Sequence, residues 1–289
     1  MTDLSSAAPL PGIESHPGSG HYGIYDHGAQ VWAWQPDSQQ PVLWLSSATQ
    51  LADGKAIRGG IPICFPWFGP GLSGEMTPAH GFVRTTPWRR EKLDETDDSL
   101  TVTYLIDPSI TGRQPLFPSP YEARLTARFS AKRLEVSLRV DNRDCEPFTV
   151  EEALHTYLAV SDVTVVTING LHGAAYLDKV AGDQGFDNEQ SGSLVLTGPT
   201  DRVYKSAGHV TVDDPGYERR LIVSSSGASN VVVWNPWSSG AATIADIGAG
   251  EWQRFVCVEA ANAYADAVTL LPGEHWTISQ CIEIASLDD

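Results

Sequence analysis

The chain has 289 residues, 42% of them hydrophobic, and carries 19 Lys+Arg against 36 Asp+Glu for a formal net charge of −17. That is enough apolar material for one large β-rich domain or two ordinary ones, and too little for a membrane protein. So acidic a surface repels phosphates, which excludes nucleic acid and anionic membrane as partners and leaves an anionic small substrate only where local arginines reverse the field in a concave site.

Residues 1–20 read as a loose leader, polar and rich in Gly and Pro, without the basic and apolar regions of a signal peptide; the first Lys or Arg is Lys55. Gly18 to Gly23 match GxGxxG, but Pro17 precedes the match and an aromatic turn follows, so a dinucleotide site is not expected. Ile57–Arg84 is a Gly- and Pro-rich apolar segment with Glu75 as its only carboxylate. Its composition holds backbone in fixed turns. Two arginines bracket it, Arg58 and Arg84, and a planar guanidinium fork suits a carboxylate or phosphate.

Period-2 patterns dominate the remainder. Leu125, Ala127 and Phe129 alternate with arginines and Thr126, and Leu134, Val136, Leu138 and Val140 alternate with Glu135, Ser137 and Arg139. Both read as half-buried antiparallel strands. Further β-rich runs fall at 101–106, 148–153, 155–160, 163–168, 209–212, 220–224, 230–234, 254–259 and 276–282, separated by turn clusters such as Asn142-Arg143-Asp144 and Asp213-Asp214-Pro215-Gly216. No stretch holds a 3.6-residue period over four turns and no long repeat occurs. The expected fold is all-β: one large antiparallel β-sandwich over residues 21–289, with few short helices. A concave sheet face in such a fold is a natural sugar-binding surface, and several of the nine Trp lie near candidate strands.

Four widely spaced cysteines read as free thiols in a reducing, cytoplasmic compartment. Glu152 and His155 match the ExxH of carboxylate-bridged metal sites, which requires a helix and a second copy; this segment reads as strand and has none. No zinc spacing, nucleophile elbow or phosphate-binding loop is present, so neither metal nor nucleotide is expected.

Chemistry is sought in four segments that set a polar group among apolar ones: His80 to Arg84, Leu154 to Tyr157, Pro199 to Tyr204, and Val256 to Glu259 with Trp234-Asn235-Pro236-Trp237 before it. Glu259 closes a strand-like run, where shielding from water raises a carboxyl pKa and suits it to act as a base. His155, at an unperturbed imidazole pKa of ~6.5, can donate a proton at neutral pH. Each also has a bland reading, a hydrogen-bonded strand histidine and a solvated strand-end carboxylate.

The ordered set IRGGIPICFPWFG, HGFVR, LHTY, TDRVY, VVWNPW and CVE resembles the D-hexose-6-phosphate mutarotases, the glucose-6-phosphate 1-epimerases of the aldose 1-epimerase superfamily, over roughly residues 20–285. The resemblance implies a galactose mutarotase-like supersandwich and an isomerase without cofactor or metal. It implies His155 as the acid at the ring oxygen, Glu259 as the base at the anomeric hydroxyl, and Arg58 and Arg84 as phosphate ligands. His80, Asp201, Trp234 and Asn235 match positions near the sugar. Lys55 and Arg89 are candidates for a third phosphate contact. The implied partner is a small-molecule sugar phosphate, with no nucleic acid or membrane, and the enzyme is expected to be monomeric. Two other readings stand beside it: an aldose 1-epimerase of free sugars, and a non-catalytic sugar-phosphate binder.

Overall fold

A computed structural model describes residues 2–4, 9–17, 20–96 and 99–288. Two eight-stranded antiparallel sheets dominate it. The outer sheet runs, in spatial order, through Thr167–Asn169, His209–Asp214, Arg219–Ser226, His275–Ser286, Arg133–Asn142, Tyr121–Ser130, Ser99–Ile106 and Arg89–Glu95. Its central strands are those whose alternation is cleanest in sequence, because one face packs on the core and the other meets water.

The cleft sheet orders Asn188–Glu189, Ala175–Asp178, Thr200–Lys205, Asn230–Asn235, Phe255–Asn262, Glu152–Leu154 and Ile63–Cys64, with Tyr157–Ala159 also paired to Phe255–Asn262. Val231, Val233, Val256, Val258 and Ala260 from this sheet join Leu125, Leu138 and Ile278 of the outer sheet in one buried cluster. Gln280 ties the layers together: its Nε2 donates to the Val258 carbonyl at 3.0 Å and its Oε1 accepts from the Thr156 hydroxyl. A four-stranded sheet of Thr2–Leu4, Gly12–Ser15, His21–Tyr25 and Val31–Gln35 and a two-stranded sheet of Phe148–Val150 with Val268–Leu270 complete the β structure. Two short α-helices, Pro108–Thr111 and Trp237–Ala241, occur among the described residues, so the all-β expectation holds.

Local departures from the sequence reading have physical causes. The segment expected to be a loose leader contains Gly12–Ser15, which pairs with His21–Tyr25 and buries Ile13 completely. Gly18 and Ser19 of the GxGxxG match lie outside the described residues; the remainder of the match leads into the strand His21–Tyr25. The run 148–153 is split between two sheets, Phe148–Val150 and Glu152–Leu154. The run 163–168 yields only Thr167–Asn169, because the Asp162 carboxylate accepts the backbone N–H (2.9 Å) and the hydroxyl (2.7 Å) of Thr164 and closes a turn there. All four cysteines are free, with Cys64, Cys257 and Cys281 buried and Cys145 exposed. No described helix is long and apolar enough to cross a membrane.

Candidate active site

The cleft is built by register. Along Phe255–Asn262 the side chains alternate: Val256, Val258 and Ala260 enter the inter-sheet core, while Phe255, Cys257, Glu259 and Ala261 face the other way. Two short strands pair with this one in a common register, Leu154 opposite Ala260 and Tyr157 opposite Cys257. Between them the ladder is loosened, with the His155 N–H donating to the Pro62 carbonyl and the Val258 N–H to that of Thr156. The shared register brings His155 opposite Glu259, with Nδ1 and Oε1 3.4 Å apart and the side chains only 9% and 1% exposed. Tyr157 stacks on the imidazole at 4.9 Å and 10°, and Trp234 meets it edge-on at 6.1 Å.

His80 enters from the loop of the Gly/Pro-rich segment. Its own φ is +64°, and at Gly81, with φ +75°, a Cβ would come within 1.8 Å of the Phe65 carbonyl oxygen, so the chain can pass there only as glycine. The Gly69 N–H donates to His80 Nδ1 at 3.2 Å, which assigns the proton of the neutral ring to Nε2. Burial, with Arg84, Lys179 and Arg58 nearby, pushes this imidazole down to about 3, so it stays neutral. Its ring lies 5.5 Å from that of His155.

Arg58, Phe68, His80, His155, Lys179, Asp201, Val232, Trp234 and Glu259 line a cleft of about 150 Å³. Three cations act on it. Arg58 donates from Nε to Asp246 at 3.1 Å and from Nη1 to the Tyr157 hydroxyl at 2.9 Å. Burial opposes its charge, but those two partners more than offset that and raise its pKa. Lys179 pairs with Asp201 at 2.9 Å and sits 5.7 Å from the centre of the Phe68 ring. Arg84 donates from Nη2 to the Ala79 carbonyl at 2.8 Å, while its buried Nε has no hydrogen-bond partner and no carboxylate pairs with it among the described residues.

Burial disfavours charge on both members of the central pair. Desolvation pushes Glu259 well above the usual carboxylate range; Asp201 adds to the effect, and Lys179 and Arg84 oppose it. Desolvation also pushes His155 well below the ordinary imidazole value, reinforced by His80, Arg84 and Arg58. The unperturbed imidazole expected at His155 is therefore corrected: burial leaves little water to stabilise its cation. Burial favours the uncharged form of each group, and a proton passed to one through a bound molecule can be returned through the other.

Of the residues anticipated from sequence, Arg58, His80, His155, Asp201, Trp234 and Glu259 converge on the cleft. Arg84 is not among the lining residues, but its charge acts on His80, His155 and Glu259. Asn235 is placed elsewhere. Strand alternation turns it away from Trp234, and it is fully buried, donating to the carbonyls of Trp252 and Phe255 and accepting from the Trp237 N–H. Lys55 and Arg89 do not line the cleft, and Arg89 lies near Glu91 on the edge strand of the outer sheet. Glu152 also faces away from His155, its Oε1 accepting from Asn262 at 3.1 Å. Lys179, Phe68 and Tyr157 were not anticipated. Lys179 carried one usable signal, a lysine directly after a strand-like run in a chain short of cations.

Comparison with known proteins agrees with this arrangement. The aldose 1-epimerase family profile matches residues 15–283. A protein of Cenchrus ciliaris named "putative glucose-6-phosphate 1-epimerase" is 34% identical over 264 residues, which cover 88% of this chain and 78% of that protein. An Escherichia coli K12 protein of the same name is 34% identical over 237 residues, covering 82% and 78%. The crystal structure of a mutarotase-type protein from Salmonella typhimurium superposes with a TM-score of 0.87 at 27% identity, covering 99% of this chain and 97% of that one. With its supersandwich fold and buried histidine–glutamate pair, the chain belongs to the aldose 1-epimerase family and is an isomerase.

Proposed function

We propose that the protein is a hexose-6-phosphate mutarotase that interconverts the α and β anomers of glucose 6-phosphate and related aldohexose 6-phosphates. Ring opening removes a proton from the anomeric hydroxyl and adds one to the ring oxygen. From the state with Glu259 ionised and His155 protonated, Glu259 takes the hydroxyl proton as His155 protonates the ring oxygen, and the C1–O5 bond breaks to give the aldehyde. Protein and substrate together neither gain nor lose a proton or an electron. The pair is now neutral Glu259 and neutral His155, which is the state that burial favours. After rotation about C1–C2, Glu259 returns its proton to the carbonyl oxygen while His155 accepts that of the O5 hydroxyl, and the ring closes in either configuration. Each such group typically contributes ~10²–10⁴-fold.

The remaining groups hold the sugar. His80 Nε2–H and Asp201 serve hydroxyls, the Trp234 ring offers an apolar face to pyranose C–H groups, and the cations take the phosphate, so that binding energy remote from C1 orients the reacting carbon. The observation that carries the phosphate reading is Arg84: a guanidinium beside the buried pair with no carboxylate partner among the described residues. We take the enzyme to be a monomer, and the free thiols support a cytoplasmic one. The second reading, turnover of free aldoses, draws on Arg58 and Lys179, whose charges Asp246 and Asp201 already offset.

Anomer exchange of freshly dissolved α-D-glucose 6-phosphate, followed by NMR beside free glucose and galactose, separates the two. The proposal expects marked acceleration for the phosphate; equal turnover of the free sugars sinks it. The same assay across pH tests the pair. The competent states share one transferable proton. Adding a second stops the reaction at low pH, and burial moves that limb below 6.5, the ordinary imidazole value. Removing it stops the reaction at high pH, and burial moves that limb above 4.5, the ordinary carboxyl value. These limits belong to the pair rather than to either residue. An acid limb above 6.5 or an alkaline limb below 4.5 contradicts the assignment.

A further inference from the structure

Cys257 has no part in this chemistry, yet it lies two residues before Glu259 on the same face of Phe255–Asn262 and directly opposite Tyr157. His155, Cys257 and Glu259 each present a donor atom, and all three donors lie within 4.8 Å of one another. All three residues are buried, His155 at 7% exposure and Glu259 at 1%. Two of the polar atoms, His155 Nδ1 and Glu259 Oε2, have no hydrogen-bond partner, since the 3.4 Å approach of Nδ1 to Oε1 misses hydrogen-bond geometry. Buried polar atoms left in this condition are costly, and nitrogen, thiolate and carboxylate are the donors that zinc takes.

We propose that His155, Cys257 and Glu259 form a binding site for a thiophilic divalent cation such as Zn²⁺, which locks the enzyme by occupying its catalytic pair. Ligands about 2.0 Å from a tetrahedral ion stand roughly 3.3 Å apart, close to the 3.4 Å already separating Nδ1 from Oε1. The Cys257 sulfur stands within 4.8 Å of the other two donors. Charge also balances. The ion displaces one proton from the thiol and one from the neutral carboxyl, leaving two negative ligands and one neutral ligand around a double positive charge. The site is then as neutral with the metal as without it, which is what a buried position tolerates. Water or a substrate hydroxyl takes the fourth position. No sequence spacing announces such a site, because its donors come from one strand and from the loosened segment beside it, joined only by register.

The inhibition rests on the acid–base reading above; the binding does not. The test uses the intact enzyme with Cd²⁺, whose bond to thiolate gives an ultraviolet charge-transfer band, and Zn²⁺ in the exchange assay. Wild type and a Cys145→Ser variant, which lacks the exposed thiol, should each bind one Cd²⁺ with that band and lose mutarotation. Cys257→Ala should retain mutarotation, lose the band and resist Zn²⁺; Cys257→Ser checks that any loss of activity comes from the thiol and not from packing. A thiolate band that persists in Cys257→Ala, or equal inhibition of wild type and both Cys257 variants, overturns the site. One Cd²⁺ bound through Cys257 with mutarotation intact supports the site and sinks the acid–base reading instead.

Discussion

Two strands of equal regularity carry opposite patterns. Tyr121–Ser130, in the outer sheet, alternates buried and open positions along its length, whereas Phe255–Asn262, in the cleft sheet, is buried at every residue. The open face of the first carries ion pairs such as Arg124 with Glu91, at 2.9 Å and partly exposed to water. The second carries Cys257 and Glu259 at positions where a stability-driven sequence would place apolar residues. Burying polar groups without full hydrogen bonding costs stability, and Glu259 Oε2 is one of the buried side-chain atoms left without a partner. The outer sheet therefore reads as scaffold, and the cleft sheet as the place where stability has been exchanged for chemistry.

Substitutions that separate activity from stability sharpen this contrast. The largest effect is expected for Glu259→Gln, which should slow anomer exchange ~10²–10⁴-fold while thermal melting shows a midpoint unchanged or raised. A midpoint lowered by several degrees would instead make Glu259 part of the scaffold. Leu138→Ala, at a fully buried outer-sheet position, should do the reverse. Urea unfolding should show a loss of about 2–5 kcal/mol, with kcat/KM of the folded protein unchanged. Arg84→Gln should lower kcat/KM for glucose 6-phosphate by roughly 10–100-fold, from the ~1.5–3 kcal/mol of a hydrogen bond to a charged group, and leave free glucose unaffected. Equal losses on both sugars would move Arg84 from substrate grip to framework. The smallest effect belongs to the outer face: Arg139→Ala removes a bidentate pair with Asp141 whose arginine is 45% exposed, and unfolding should detect no more than about 1 kcal/mol.

Legibility in the sequence followed the same division. The strands Arg133–Asn142 and Tyr121–Ser130 were readable because water on one face enforces alternation. Glu152–Leu154 and Tyr157–Ala159 were harder: both faces are buried, so no alternation marks where one strand ends and the other begins. His155 and Glu259 were found through the ordered motifs, but their mutual distance was not. Asn235 shows where motif proximity misleads, since being next to Trp234 in a strand puts a residue on the opposite face. Lys179 was missed because its partner Asp201 lies on the neighbouring strand and nothing local joins them.

By itself the sequence determined the class of fold, the sites of the alternating outer-sheet strands and which residues of a strand share a face, because these depend on local geometry and a two-residue period. It thereby already set Cys257 and Glu259 on one face of one strand. Only the tertiary structure decided that His155 stands opposite Glu259, that Arg58 is neutralised by Asp246 while Arg84 pairs with no carboxylate among the described residues, and that a thiol lies beside the His155–Glu259 pair. Those relations depend on the register between strands distant in the chain. Register is set by the packing of the whole sheet, and a one-residue slip would have turned each of these side chains to the other face.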